Sequence, residues 1–207
     1  MRTLIKNGLV YDGSGGTPFR KDVLIKDGFI EAVTESAEAY GMEMTRAAAS
    51  GAEAAVAEVI DASGLVVTPG FIDTHRHCDI DALYNPEFGR LEMAQGLTTV
   101  IGGNCGLAPI PAPKQYRRDI YDFIEPCLGI APEEMAIERF GDYLEELGKR
   151  ELPLHVGSLL ATGTLKAAIK GYGKGPFTRQ EMDQAKAYIR EGLEAGAAGL
   201  SMGIMYQ

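Results

Sequence analysis

The chain has 207 residues, of which 45% are hydrophobic and 24% charged, a composition typical of a globular protein. The net charge of −9 argues against nucleic-acid binding, because neutralising phosphates requires clustered lysine and arginine. No apolar run is long enough for a membrane span, and no signal peptide is recognised. The three cysteines have no paired spacing. Together these features predict reduced thiols and a cytoplasmic location.

The first part of the chain has short apolar runs separated by turn residues. This pattern predicts a small antiparallel β unit over residues 1–33, with hairpin turns at Asn7-Gly8 and Asp27-Gly28. Residues 34–58 are rich in Ala and Glu but have no clean apolar stripe. They predict a solvated, partly helical insertion that carries no chemistry.

From residue 65 to residue 207, apolar runs of strand length alternate with helix-forming segments. The predicted strands are Leu65–Ile72, Leu97–Ile101, Leu154–Leu160 and Ala198–Met202. The predicted helices are Pro86–Gln95, Tyr116–Glu125, Pro132–Lys149 and a segment that begins with a capping box at Thr178–Glu181. This alternation predicts an α/β fold with a parallel sheet or a β/α barrel. An eight-unit barrel needs about 250 residues, so four strands correspond to about half of one.

Two histidines follow the first of these strands, in the sequence Gly70-Phe71-Ile72-Asp73-Thr74-His75-Arg76-His77. Residues i and i+2 of a strand point to the same face, so His75 and His77 are predicted to aim at one point. The carboxyl ends of barrel strands carry the active sites of such folds. An isolated His-x-His can be purely structural, but this placement favours a site for zinc or a similar metal.

The second strand leads into Gly102-Gly103-Asn104-Cys105-Gly106. The glycines permit a tight turn that brings the Cys105 thiol to the same rim. A free cysteine is otherwise a small buried apolar residue, but beside a divalent cation it ionises and becomes a ligand. The neighbouring histidines favour the ligand interpretation. The Asn104 side chain has two possible roles, which are a contact with substrate and a cap on its own turn.

These features resemble the amidohydrolase superfamily, and the Gly103–Gly106 stretch narrows the resemblance to the N-acyl-D-amino-acid deacylases, or D-aminoacylases. Residues 163–166 and 191–206 agree with it. The resemblance implies the first half of a metal-dependent (β/α)8 TIM-like barrel at 65–207, preceded by a small β-sandwich domain at 1–64. It implies one or two zinc ions held by His75, His77 and Cys105. It also implies a substrate contact from Tyr206, whose alternative role is packing at the rim.

The same resemblance implies hydrolysis of a small N-acyl-D-amino acid. Further metal histidines and a catalytic aspartate belong to later strands in this family, so no residue of 1–207 is predicted to be the catalytic base. The remainder of the barrel is expected from the same chain or from a second chain, and residues 1–207 alone are expected to be inactive. Cys78 and Thr162 replace an Asp and a His that are frequent in the family.

Two alternative functions stay open. One is a cyclic-amide hydrolase such as a dihydroorotase or hydantoinase. These enzymes generally bridge their metals with a lysine on the fourth strand, and Gly199–Met202 contains none. The other is an inactive fragment or scaffold piece.

Overall fold

The computed structural model describes residues 2–35 and 58–204, and the chain divides into two compact units, Met1–Pro69 and Gly70–Gln207. The division falls after Pro69 rather than after residue 64. Most of the predicted insertion at 34–58 lies outside the described residues. No helix among the described residues is long and apolar enough to cross a bilayer.

The described part of the first unit consists of two β-sheets. Its strands are β1 (Arg2–Lys6), β2 (Leu9–Val10), β3 (Phe19–Arg20), β4 (Asp22–Lys26), β5 (Phe29–Thr34), β6 (Glu58–Asp61) and β7 (Val66–Val67). One sheet has the strand order β5-β4-β1-β6 and the other the order β3-β2-β7. Strand β1 runs antiparallel to β4 and parallel to β6.

One of the two predicted hairpins is present. Strands β4 and β5 pair across Asp27-Gly28, whose φ angles of 49° and 86° suit the primed turns of tight hairpins. The hairpin predicted at Asn7-Gly8 is wrong, because β1 and β2 belong to different sheets. The Asn7 side-chain amide donates to Asp61 at 3.0 Å and its backbone N–H donates to Asp22 at 2.9 Å. These bonds hold a turn that leads the chain from one sheet to the other.

The second unit alternates strands and helices. Its strands are β8 (Phe71–Asp73), β9 (Leu97–Gly102), β10 (His155–Ser158), β11 (Leu160–Ala161) and β12 (Leu200–Ser201). Its helices are α1 (Asp81–Tyr84), α2 (Arg90–Ala94), α3 (Arg117–Leu128), α4 (Phe140–Gly148), α5 (Thr162–Lys170) and α6 (Arg179–Ala195). Strands β8, β9 and β10 pair in parallel in that order, and β11 pairs in parallel with β12. The predicted α/β class with parallel strands is therefore confirmed.

The single buried strand predicted at Leu65–Ile72 is wrong. Residues 66–67 form β7 in the first unit, and β8 begins only at Phe71. Pro69 has no N–H to donate to a strand ladder, so Pro69-Gly70 separates the two segments. Because β8 is an edge strand of its sheet in the described chain, Phe71 and Ile72 are 57% and 63% exposed.

The helix predicted at Pro132–Lys149 is also shorter than expected, since only Phe140–Gly148 is helical. The preceding segment is not helical, and it buries Met135 and Ile137, which are two residues apart. This spacing matches an extended segment rather than a helix. The predicted capping box is confirmed at the start of α6.

Candidate metal centre

The two predicted histidine ligands lie in the loop that follows β8. Asp73, the last residue of β8, accepts a hydrogen bond through Oδ1 from the backbone N–H of His75 at 3.0 Å. This Asx turn bends the chain away from the strand. His75 and His77 are therefore not strand residues, and the predicted strand geometry of the pair is wrong. Their rings are nevertheless neighbours, with centroids 5.8 Å apart and planes inclined by 73°.

His77 has the properties of a neutral imidazole. Burial lowers its pKa, and the neighbouring His75 lowers it further. Its Nδ1 atom is buried and has no hydrogen-bond partner among the described residues. A neutral ring with an unsatisfied nitrogen is the form of histidine that binds a metal ion.

Cys105 lies in a tight 3-10 turn, Asn104–Gly106, directly after β9. Its own φ and ψ are 56° and 21°, and Gly103 and Gly106 have φ of 71° and 74°. This left-handed region is costly for residues other than glycine, and strained residues of this kind concentrate at functional sites. A Cβ atom at Gly103 would lie 2.1 Å from the carbonyl oxygen of Leu159, so only glycine fits there.

Asn104 connects the cysteine turn to the histidine loop. Its side-chain amide donates to the carbonyl oxygen of Ile101 at 2.8 Å and to that of Arg76, between the two histidines, at 3.4 Å. The residue is only 7% exposed. These contacts favour the structural alternative for Asn104 over the substrate contact.

The structure brings the three predicted ligands together. One nitrogen from each of His75 and His77 and the Cys105 sulfur lie within 4.8 Å of one another. The His75 Nε2 and Cys105 Sγ atoms are 3.1 Å apart, which is hydrogen-bonding distance. Because zinc bonds are ~2.0–2.3 Å long, donors to one ion lie roughly 3–4 Å apart. The observed separations, at most 4.8 Å, are close to this spacing, and two imidazoles with a thiol are a donor set that suits a zinc ion.

An ion pair anchors the histidine loop to helix α2. The Arg76 guanidinium pairs with Glu92 of α2, which is 7% exposed, and lies 3.9 Å from the Asp73 carboxylate. The backbone N–H of Arg76 donates to the carbonyl oxygen of Ile101 at 3.1 Å. Arg76 thus ties its loop to β9 and α2. This pair could not be predicted from the sequence, because Arg76 and Glu92 meet only in the folded chain.

We expect Glu92→Gln to lower the free energy of unfolding by about 1–2 kcal/mol, because it weakens a charge-assisted bond in a largely buried place. Urea denaturation of the intact protein measures this loss. Glu87→Gln is the control, since Glu87 pairs with Arg90 on the surface, where the two side chains are 64% and 79% exposed. That change should cost less than about 0.5 kcal/mol. Equal losses in the two variants would contradict an anchoring role for Glu92.

Two further residues beside the histidines are buried. Burial raises the pKa of the Asp79 carboxyl to about 7, and Ser158 donates a hydrogen bond to it at 3.4 Å. Cys78 is 4% exposed, and burial raises the pKa of its thiol to about 12. Cys78 is accordingly a protonated core thiol. Tyr206, the other predicted substrate contact, lies outside the described residues.

Comparison with known proteins agrees with this fold. Residues 58–206 match the amidohydrolase family, and the chain belongs to that family. An N-acyl-D-aspartate deacylase from Alcaligenes xylosoxydans xylosoxydans is 32% identical over 203 residues, which are 98% of this chain and 36% of the relative. A D-aminoacylase from the same organism is 30% identical, over 98% of this chain and 38% of the relative.

Solved structures of deacylases also match this chain. An N-acyl-D-glutamate deacylase from Bordetella bronchiseptica, complexed with zinc and a phosphonate inhibitor, matches with a TM-score of 0.77 and 29% identity. The match covers 99% of this chain and 39% of that structure. The predicted resemblance and the predicted fold class are confirmed. The chain spans little more than a third of the length of these relatives.

Proposed function

We propose that the protein containing this chain is a zinc-dependent amide hydrolase that deacylates N-acyl-D-amino acids. The observation that carries the proposal is the convergence of His75, His77 and Cys105 within 4.8 Å, at the ends of two neighbouring parallel strands. The similarity to deacylases of N-acyl-D-aspartate and N-acyl-D-glutamate supports the substrate class.

In this proposal His75 and His77 bind zinc through imidazole nitrogens and Cys105 binds it as a thiolate. Zinc in such a site polarises an amide carbonyl and makes water a better nucleophile at neutral pH. The protein's contribution is to hold the three donors at the rim of the sheet. The Asx turn at Asp73 and the Arg76–Glu92 pair position the histidines, and Asn104 joins their loop to the cysteine turn. Tyr206 remains a proposed substrate contact.

We further propose that hydrolysis needs more of the barrel than residues 1–207 provide, from the same chain or from a second one. The relatives that carry out this reaction are much longer, since the chain covers only 36–39% of their length. A carboxylate that takes the proton from water and passes it to the leaving amine is expected from that remaining part.

The proposal is tested by measuring zinc content and hydrolysis in the intact protein. N-acetyl forms of D-aspartate, D-glutamate and an apolar D-amino acid should be hydrolysed in preference to their L enantiomers. Hydantoin and dihydroorotate are included because a cyclic-amide hydrolase would prefer them. Preference for a cyclic amide, or stoichiometric zinc without hydrolysis of any acylated amino acid, would contradict the proposal. Residues 1–207 assayed in parallel should be inactive.

A further inference from the structure

Ser201 contacts both ends of the cysteine turn with a single hydroxyl group. Its Oγ accepts a hydrogen bond from the backbone N–H of Gly106 at 3.0 Å and donates one to the carbonyl oxygen of Gly103. Ser201 lies more than 90 residues further along the chain than either glycine. The hydroxyl therefore joins β12 to the turn that follows β9.

The turn has an irregular backbone, which side-chain bonds from Asn104 and Ser201 hold in this conformation. Gly103, Cys105 and Gly106 all have positive φ, so no regular helix or strand continues through them. The carbonyl of Gly103 and the N–H of Gly106 flank Cys105, and both bond to the same side-chain oxygen. A donor and an acceptor fixed in this way restrict the backbone between them, and so the direction of the Cys105 side chain.

Strand pairing places the Ser201 hydroxyl beside the turn. Strand β12 pairs with β11 so that Ser201 lies opposite Ala161. On the other side of the turn, Gly103 packs against the backbone of Leu159, immediately before β11. The turn thus lies between the backbone of Leu159 and the side chain of Ser201.

We propose that Ser201 is a positioning residue for Cys105, whose two hydrogen bonds hold the thiolate in the direction that zinc binding requires. This inference rests on the proposed function, because it assumes that Cys105 is a zinc ligand. Ser201 makes no contact with the metal or substrate in this proposal. It acts only through the backbone of the turn.

The test compares Ser201→Ala with Ser201→Thr in the intact protein. We expect Ser201→Ala to weaken zinc binding 10- to 100-fold, the range for residues that orient metal ligands. A competing chromophoric chelator measures this affinity. In the cobalt-substituted protein the thiolate-to-cobalt charge-transfer band should weaken in Ser201→Ala. Ser201→Thr keeps the hydroxyl and should restore both signals. If Ser201→Ala does not fold, Ser201→Thr and Ser201→Val give the same comparison at equal size.

A matched control is available in Thr164 of α5. Its buried hydroxyl also makes two bonds to backbone, accepting from the N–H of Ala108 at 2.9 Å and donating to the carbonyl oxygen of Ala108 at 2.7 Å. Thr164→Val should lower the melting temperature but leave the zinc affinity and the charge-transfer band unchanged.

The outcomes distinguish a failure of the positioning role of Ser201 from a failure of the proposed function. Unchanged zinc affinity and an unchanged charge-transfer band in Ser201→Ala, with normal zinc binding in the wild type, would overturn the positioning role alone. An equal loss of zinc affinity in Thr164→Val would also overturn it, because general destabilisation would then explain the effect. Absence of zinc binding in the wild type would overturn the proposed function, and the inference with it.

Discussion

Replacing Cys105 with alanine in the intact protein should reduce kcat/KM and zinc affinity by on the order of 100-fold or more while the fold is kept. A thiolate contributes a charge and a strong bond to zinc, and alanine supplies neither. Losses of 10- to 100-fold follow from changes to residues that only orient ligands, so removal of a ligand should cost at least as much. Zinc content by emission spectroscopy, steady-state kinetics and the melting temperature are the three measurements.

The fold should survive because Cys105 is only half-buried and belongs to a short turn rather than to the packed core. Cys127→Ser is the control, since Cys127 is an exposed residue of α3. That variant should keep its zinc and its turnover. A Cys105→Ala protein with full zinc content and normal turnover would show that Cys105 is not a ligand.

The clustering of His75, His77 and Cys105 could be predicted from the sequence because its chemistry is local. His75 and His77 are two residues apart, and Cys105 follows the next apolar strand between two glycines. Parallel strands joined in succession bring their carboxyl ends to one edge, so the three residues had to approach one another. What the spacing did not reveal is that the chain leaves the strand at Asp73, where the side-chain oxygen bonds to the His75 N–H.

The supporting residues could not be predicted, because each one acts across a long separation in the chain. Glu92 reaches Arg76 from a different element, and Ser201 reaches the cysteine turn from the last described strand. A serine or a glutamate has no distinctive sequence signal for such a role. The interpretation of Asn104 also depended on the fold, since only the structure shows its amide bonded to the carbonyl of Arg76.

The secondary structure differed from prediction where two local signals conflicted. The apolar run from Leu65 to Ile72 suggested one strand, although Pro69-Gly70 inside it favours a break, and the break is what forms. Helix α5 was not predicted because it begins with Thr162 and Gly163, which have weak helix propensity. Its buried side chains, which include Leu165 and Ala168, supply the packing that overrides this propensity.

The second large effect is expected at Gly103, the residue that precedes the cysteine turn. A Cβ atom there would lie 2.1 Å from the carbonyl oxygen of Leu159 and 2.8 Å from its amide nitrogen. Both are backbone atoms next to β11, so no side-chain rotation can relieve the overlap. Gly103→Ala should therefore move the turn, release the zinc and lower the free energy of unfolding by about 4 kcal/mol or more, in the range of the most disruptive substitutions.

Gly196→Ala is the control that distinguishes the effect of this steric overlap from the effect of backbone strain. It has φ 114° and ψ 19°, against 71° and 22° at Gly103, so both glycines are left-handed. A Cβ at Gly196 would meet only the flexible side chain of Leu144, at an ordinary 3.5 Å. Gly196→Ala should cost about 1–2 kcal/mol from backbone strain alone and leave zinc binding intact. Urea denaturation and zinc content of both variants test the difference. If Gly103→Ala loses no more stability than Gly196→Ala and retains its zinc, the approach of Leu159 does not fix the position of Cys105.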